Sequence, residues 1–169
     1  MIVKLLFIMI LSLTLNVVQL FLEAFFTVDL WAIGLSATLC LWLGRVASPS
    51  LGMLSCVTIG LLEDATLSLP VGVHLSAAPI LYLIGYYTRV GVHPLVIGVA
   101  LTVTRLMITS IGSYVFIGWD SDLLRALWSQ AHWVLISGLL ITPAMIYLLE
   151  PLKGFFSHEL SVHRGLSVK

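Results

Sequence analysis

The stretch "GLLEDATLSLPVG", Gly60 to Gly72, interrupts an extremely apolar chain. Two adjacent carboxylates, Glu63 and Asp64, close one apolar run, and Pro70 and Gly72 open the next. Taken alone, the stretch reads as a membrane exit loop, an acidic active site or a structural corner. Its surroundings decide between these.

The chain has 169 residues, of which 60% are hydrophobic and 9% charged; its mean hydropathy is +1.11. Ordinary soluble domains carry about 25% charged residues. A water-soluble domain of this size has too little interior to hide so much apolar surface, so the bilayer is expected as the main solvent. A helical span needs roughly 20 apolar residues, and several such runs occur. A β-barrel would need segments of about 10 residues alternating in polarity, and none is seen. The start, "MIVKLLFIMILSLTLNVVQLF", exceeds the usual h-region of a signal peptide, about 7–15 residues, and reads as a retained helix. The expected fold is therefore an all-α integral membrane protein, a bundle of about six transmembrane helices. The spans fall at about 4–22, 28–44, 48–64, 71–88, 94–117 and 130–150, in one domain covering 1–150. Residues 151–169 form a short cytoplasmic tail.

Charge gives the orientation. Lys4, Arg45, Arg89, Lys153, Arg164 and Lys169 fall on one side of a six-span layout. Glu23, Asp29, Glu63, Asp64, Asp120 and Asp122 fall on the other, with Arg125 as their basic companion. The positive-inside rule then places both termini in the cytoplasm. "WDSDLLRALW", from Trp119, reads either as a short surface helix capped by Asp120 or Ser121 or as an ordinary loop. The formal net charge of zero gives no sign of a nucleic-acid partner. Cys40 and Cys56 sit in apolar runs without metal-ligand spacing.

Polar groups inside spans usually face protein or water. Gly98, Thr102, Arg105, Thr109 and Gly112 recur at helical spacing in span five. Ser12, Asn16, Gln19 and Glu23 do the same in span one. These stripes bond between helices, or they line a ligand cavity or a partner helix. By depth along their spans, Asp64 or Glu63 is expected to reach Arg105, with His74 near the same level. Gly34, Ala37 and Gly44 in span two are candidates for docking a partner helix. The candidate intramembrane polar network is thus Asp64, Arg105, Glu63, His74, Asn16 and Gln19.

Catalysis is not expected. An aspartyl pair must converge to share a proton, whereas Glu63 and Asp64 point about 100° apart around a helix. His74, His93 and His132 lie on separate elements, and no nucleophile elbow is present. No catalytic residue, metal site or cofactor is therefore assigned.

The stretch "GLLEDATLSLPVGVHLSAAPILYLIGY" resembles the signature of the MreD family of bacterial rod shape-determining proteins. The matching positions are Gly60, Leu61, Asp64, Pro70 and Gly72, then Ala77 and Ala78 leading to Tyr82. The closing "LISGLLITPAMIYLLEPLK" is similar to the family's last helix. The resemblance implies a non-enzymatic, multi-pass protein of the bacterial inner membrane, a scaffold in cell-wall elongation. It implies an MreC-like partner and, through it, MreB filaments, the RodA glycosyltransferase and a class B penicillin-binding protein. The six-helix layout also resembles the substrate-binding subunits of energy-coupling-factor transporters. That likeness keeps a second reading open, a small-molecule-binding membrane subunit of a transporter.

Overall fold

At the centre stands the shortest of the long apolar segments. The computed structural model describes residues 2–26, 34–66, 72–88, 92–117, 125, 128–129 and 131–156. Among these, all regular structure is helical. The elements are α1 (Ile2–Phe26), α2 (Leu35–Val46), α3 (Pro49–Thr66), α4 (Val73–Tyr87), α5 (Pro94–Ile117) and α6 (Ala131–Phe156). Two stretches, Ile2–Leu22 and Ala131–Phe156, are long and apolar enough to cross a membrane.

Every residue of α2 except Arg45 is buried. Its sequence, LSATLCLWLGRV, has no polar face to show to water, so it packs on all sides. It touches α1, α3, α4, α5 and α6. Twelve residues cover only about 18 Å at 1.5 Å per residue. The expected span from residue 28 is thus cut short at Gly34, which adopts φ 59°, a left-handed conformation that ends the helix. The preceding part of that expected span, 28–33, lies outside the described residues.

α1 is amphipathic in the membrane sense. Ile8, Ser12, Leu15 and Gln19 are buried on one stripe, while Leu6, Ile10, Leu13, Val17 and Phe21 are exposed on the other. α5 repeats the pattern, with Ile97, Leu101 and Thr102 inward and Val96, Val99, Val103 and Met107 outward. The inward stripes hold most of the small and polar residues; the outward ones are largely apolar, and the exposed Thr14 hydroxyl is bonded to the Ile10 carbonyl.

Glycines bring α4 against α2 and α3. A Cβ at Gly44 would strike the Tyr82 carbonyl, one at Gly85 the Leu41 carbonyl, and one at Gly60 the backbone of His74. Gly52 lies under the Tyr82 ring. Close backbone approach is what small residues permit in membrane helices. Gly44 and Gly34 therefore serve internal packing and not the partner docking expected of them. Ala37, the third of that set, is buried as well. Gly85→Ala is expected to cost about 1–3 kcal/mol by overpacking, read as a lower midpoint of unfolding in detergent micelles. An unchanged midpoint would show that the two backbones are not in contact.

α6 is not uniform. Ala131–Ile136 is α-helical, Ser137–Ile141 is a π-helical turn, and Thr142–Leu149 is α-helical again. Pro143 explains the turn. It has no N–H, and its ring crowds the carbonyl four residues back; the widened turn lets the Thr142 N–H reach the Ser137 carbonyl instead. The helix then runs past residue 150. A 3-10 turn at Glu150–Leu152 absorbs Pro151, and helix resumes to Phe156. The tail expected from 151 begins later than that, because Phe156 is a core residue, 1% exposed, packed on Trp42 and Phe7.

The bundle has two chemically different ends. Phe7, Trp42, Phe155 and Phe156 join the start of α1, the end of α2 and the end of α6. Lys4, Arg45 and Lys153 lie at this basic end. At the opposite end, Gln19, Gly34, Glu63, Asp64, His74 and Arg105 come together.

Candidate functional site

Two helix N-termini lie at the polar end, that of α2 buried and that of α4 partly so, and neither is capped by its own residue. The first turn of any helix leaves backbone N–H groups without intrahelical partners. Ser, Thr, Asp or Asn normally accepts one of them at the N-cap. Here the N-cap residues are glycines, Gly34 before α2 and Gly72 before α4, both at positive φ. The acceptors come from other helices.

For α2 the acceptor is Gln19 on α1, whose Oε1 takes the Leu35 N–H at 3.0 Å. For α4 it is Asp64 on α3. One carboxylate oxygen accepts the Gly72 N–H at 2.7 Å and the Leu75 N–H at 3.2 Å. The other accepts the His74 N–H at 2.8 Å and lies 3.1 Å from His74 Nδ1. Asp64 is 1% exposed. Its charge is compensated by three converging N–H groups and the positive end of the α4 dipole.

Both oxygens of Asp64 bind the α4 terminus. Glu63, beside it, stands in the field of His74 and of Arg105. Neighbours on a helix point about 100° apart, so Glu63 faces α2 and α5 while Asp64 faces α4. The Arg105 guanidinium lies directly on Gly34, where any Cβ would collide with it. Glycine is favoured at 34 by its backbone conformation, whereas a Cβ there would displace the flexible end of the Arg105 side chain.

Ser36 completes the linkage. Its Oγ donates to Asn16 Oδ1 at 2.7 Å and also stands within hydrogen-bonding reach of Glu63. A hydroxyl has one proton. Meanwhile the Asn16 amide nitrogen is buried without a partner. Turning the amide over resolves both: Asn16 Nδ2 donates to Ser36, and Ser36 donates to Glu63. Asn16, Gln19, Asp64 and His74 thus make hydrogen bonds between elements, with Glu63 and Arg105 beside them.

Comparison of the chain with protein-family models, curated proteins and solved structures finds no match. The site must be read from its own chemistry. Its described hydrogen bonds run between helices and end largely on backbone N–H groups, which is the chemistry of a joint. Among the described residues, no three His, Cys, Asp or Glu side chains gather as metal ligands.

Further polar contacts lie deeper in the bundle. Thr38 and Thr142 hydroxyls meet at 3.2 Å between α2 and α6. Thr102 donates to Gly98 O at 2.9 Å and approaches Val134 O of α6 at 3.4 Å. The α5 stripe thus divides, with Gly98 and Thr102 on α6 and Arg105 toward α2. The side chains of Thr109 and Gly112, and that of Glu23, lie outside the described residues, as does Pro70. Of "WDSDLLRALW", only Arg125 and Trp128 are described, both helical. Cys40 and Cys56 are free and buried, with Cys56 Sγ 3.9 Å from the Cys40 carbonyl.

Sequence reading missed Ser36, Thr38 and Thr142, and it singled out Gly34 for docking a partner helix and not for this joint. The Ser and Thr at 36 and 38 were detectable as polar positions in an otherwise apolar run. The positive φ of Gly34 carried no signal of its own.

Proposed function

We propose that this protein is a multi-pass scaffold of the bacterial inner membrane, acting in cell-wall elongation and maintaining rod shape by binding an MreC-like partner. Through that partner it connects MreB filaments with the RodA glycosyltransferase and a class B penicillin-binding protein. In this reading all six helices cross the bilayer and both termini lie in the cytoplasm.

One observation carries the non-enzymatic character of this reading. Gly60, Asp64 and Gly72, three of the residues on which the family resemblance rests, act as one structural corner. Gly60 admits the α4 backbone, Asp64 caps α4, and Gly72 supplies one of the N–H groups that Asp64 binds. The most conspicuous carboxylate of the chain is thereby engaged in holding α3 to α4. The separation of a basic end from a polar end supports the topology, since lysine and arginine accumulate on the cytoplasmic side. The apolar outer faces of α1 and α5 suit lipid or a partner helix.

Depletion in a rod-shaped host, followed by microscopy and affinity copurification, tests the proposal. Cells are expected to round up, and an MreC-like single-span protein is expected to copurify. Depleted cells that stay rods with normal wall synthesis would remove the basis for the scaffold. Saturable binding of a small solute by the purified chain would favour the transporter-subunit reading instead. The buried Ser12 hydroxyl on the inward stripe of α1, which has no hydrogen-bond partner, is where that reading finds its support.

A further inference from the structure

The basic end of the bundle carries three cations on three different helices, beside an aromatic cluster that Lys4 contacts. Lys4 Nζ lies 5.8 Å from the centroid of the Phe155 ring. Phe7 packs on Phe155 at 5.4 Å and on Phe156 at 6.2 Å. Trp42 meets Phe156 edge-on at 5.5 Å. One turn beyond Trp42, Arg45 is the single residue of α2 that escapes full burial. Lys153, two residues before Phe155, bonds Glu150 at 2.9 Å, with both side chains more than or about half exposed.

We propose that this end binds an anionic phospholipid, its phosphodiester headgroup held by Lys4, Arg45 and Lys153 and its acyl chains lying along α1 and α6. The proposal rests on the membrane reading given above. Among the described residues at this end, Lys4, Arg45 and Lys153 stand with Glu150 as their acidic counterpart, a surplus of positive charge. The Lys153–Glu150 pair does not close the site, because an exposed pair of this kind holds weakly and the ammonium has further protons to donate. Arg45 offers a planar fork suited to two phosphate oxygens, and its charge also offsets the negative end of the α2 dipole. Phe155, 44% exposed, presents a ring face at headgroup depth, where aromatic side chains favour the membrane interface.

The apolar surface beside the cations identifies the ligand as a lipid and not a free phosphate. Leu6 and Ile10 of α1 and Leu148 of α6 are all exposed. A soluble anion has no use for such a surface, whereas acyl chains hanging from a bound headgroup cover it. Cations near a bilayer surface each strengthen attraction to anionic lipid by about 1 kcal/mol.

Native mass spectrometry of the full chain, released from detergent with phosphatidylglycerol, phosphatidylethanolamine or inorganic phosphate, tests this directly. Phosphatidylglycerol is expected to be retained in preference to phosphatidylethanolamine, and phosphate alone not at all. Lys4→Gln and Lys153→Gln are each expected to lower phosphatidylglycerol retention about fivefold. Glu150→Gln is expected to raise it. Thermal unfolding of each variant in the same detergent verifies that the fold is intact. Equal retention of the two lipids by an intact, membrane-extracted chain would overturn the headgroup site and leave the membrane reading standing. Equal phosphatidylglycerol retention by wild type and the folded Lys4→Gln, Lys153→Gln double variant would overturn it too. A chain that remains monodisperse without detergent would overturn both.

Discussion

Replacing Glu63 by alanine is expected to destabilise the protein by about 2–4 kcal/mol, and replacing Arg105 by methionine in the same chain to restore much of that loss. Glu63 is 7% exposed and faces Arg105 across the buried N-terminus of α2. The guanidinium sits on Gly34, close to the positive end of the α2 dipole. Glu63 is an opposite charge that offsets this placement. Without it, a cation is left against a positive helix end with little water to solvate it. Removing one partner of a buried pair typically costs about 3–5 kcal/mol; the partial exposure of Arg105 puts this case somewhat lower. Methionine fills similar volume without charge, so the double variant escapes the penalty. The measurement is a double-mutant cycle by reversible denaturation in mixed micelles. Strict additivity of the two changes would mean that the pair does not interact.

Asp64→Ala is expected to cost about 3 kcal/mol or more. It strips the acceptor from the N–H groups of Gly72, His74 and Leu75 at once. Loss of an ordinary N-cap costs about 0.5–2 kcal/mol, and each buried N–H left unsatisfied adds about 1–3 kcal/mol before water enters. Asp64→Asn keeps one acceptor oxygen and is expected to fall between wild type and alanine. Hydrogen exchange localises the effect: the amides of Gly72, His74 and Leu75 should lose protection first. Wild-type protection at those amides in the alanine variant would sink the account of the corner. Under the proposed function, the same variant should fail to restore rod shape to depleted cells.

How much of this was written in the residues varies with the kind of interaction. The apolar runs announced helices, because a backbone in an apolar medium must satisfy its own hydrogen bonds. The inward stripes of α1 and α5 were legible from helical spacing alone. The chain's two charged ends were legible from where lysine and arginine fall. Boundaries were less so. α2 begins at Leu35, and nothing before it has the look of a cap, since Gln19 performs that task from another helix. The last helix reaches Phe156 because a core position awaits that ring, which no local pattern announces.

Within the polar end, the membership of the set was readable and its wiring was not. Asn16, Gln19, Glu63, Asp64, His74 and Arg105 stood out because polar groups are rare and expensive in an apolar chain. Depth along a span suggested that Asp64 or Glu63 would meet Arg105. Depth leaves open the rotation about the helix axis, and one residue of rotation exchanges Glu63 for Asp64. Backbone N–H groups, moreover, are identical in every sequence. Whether Asp64 binds a guanidinium or the open end of α4 depends on where α4 starts and how closely Gly60 lets it approach.

Composition and periodicity thus settled the helical class, the inward faces and the opposition of basic and acidic ends, because these depend on the partition of side chains between apolar and polar surroundings. Packing settled the burial of α2 on all sides and the capping of α2 and α4 by their neighbours. These depend on the angles and distances between helices, which side chains far apart in the chain fix together.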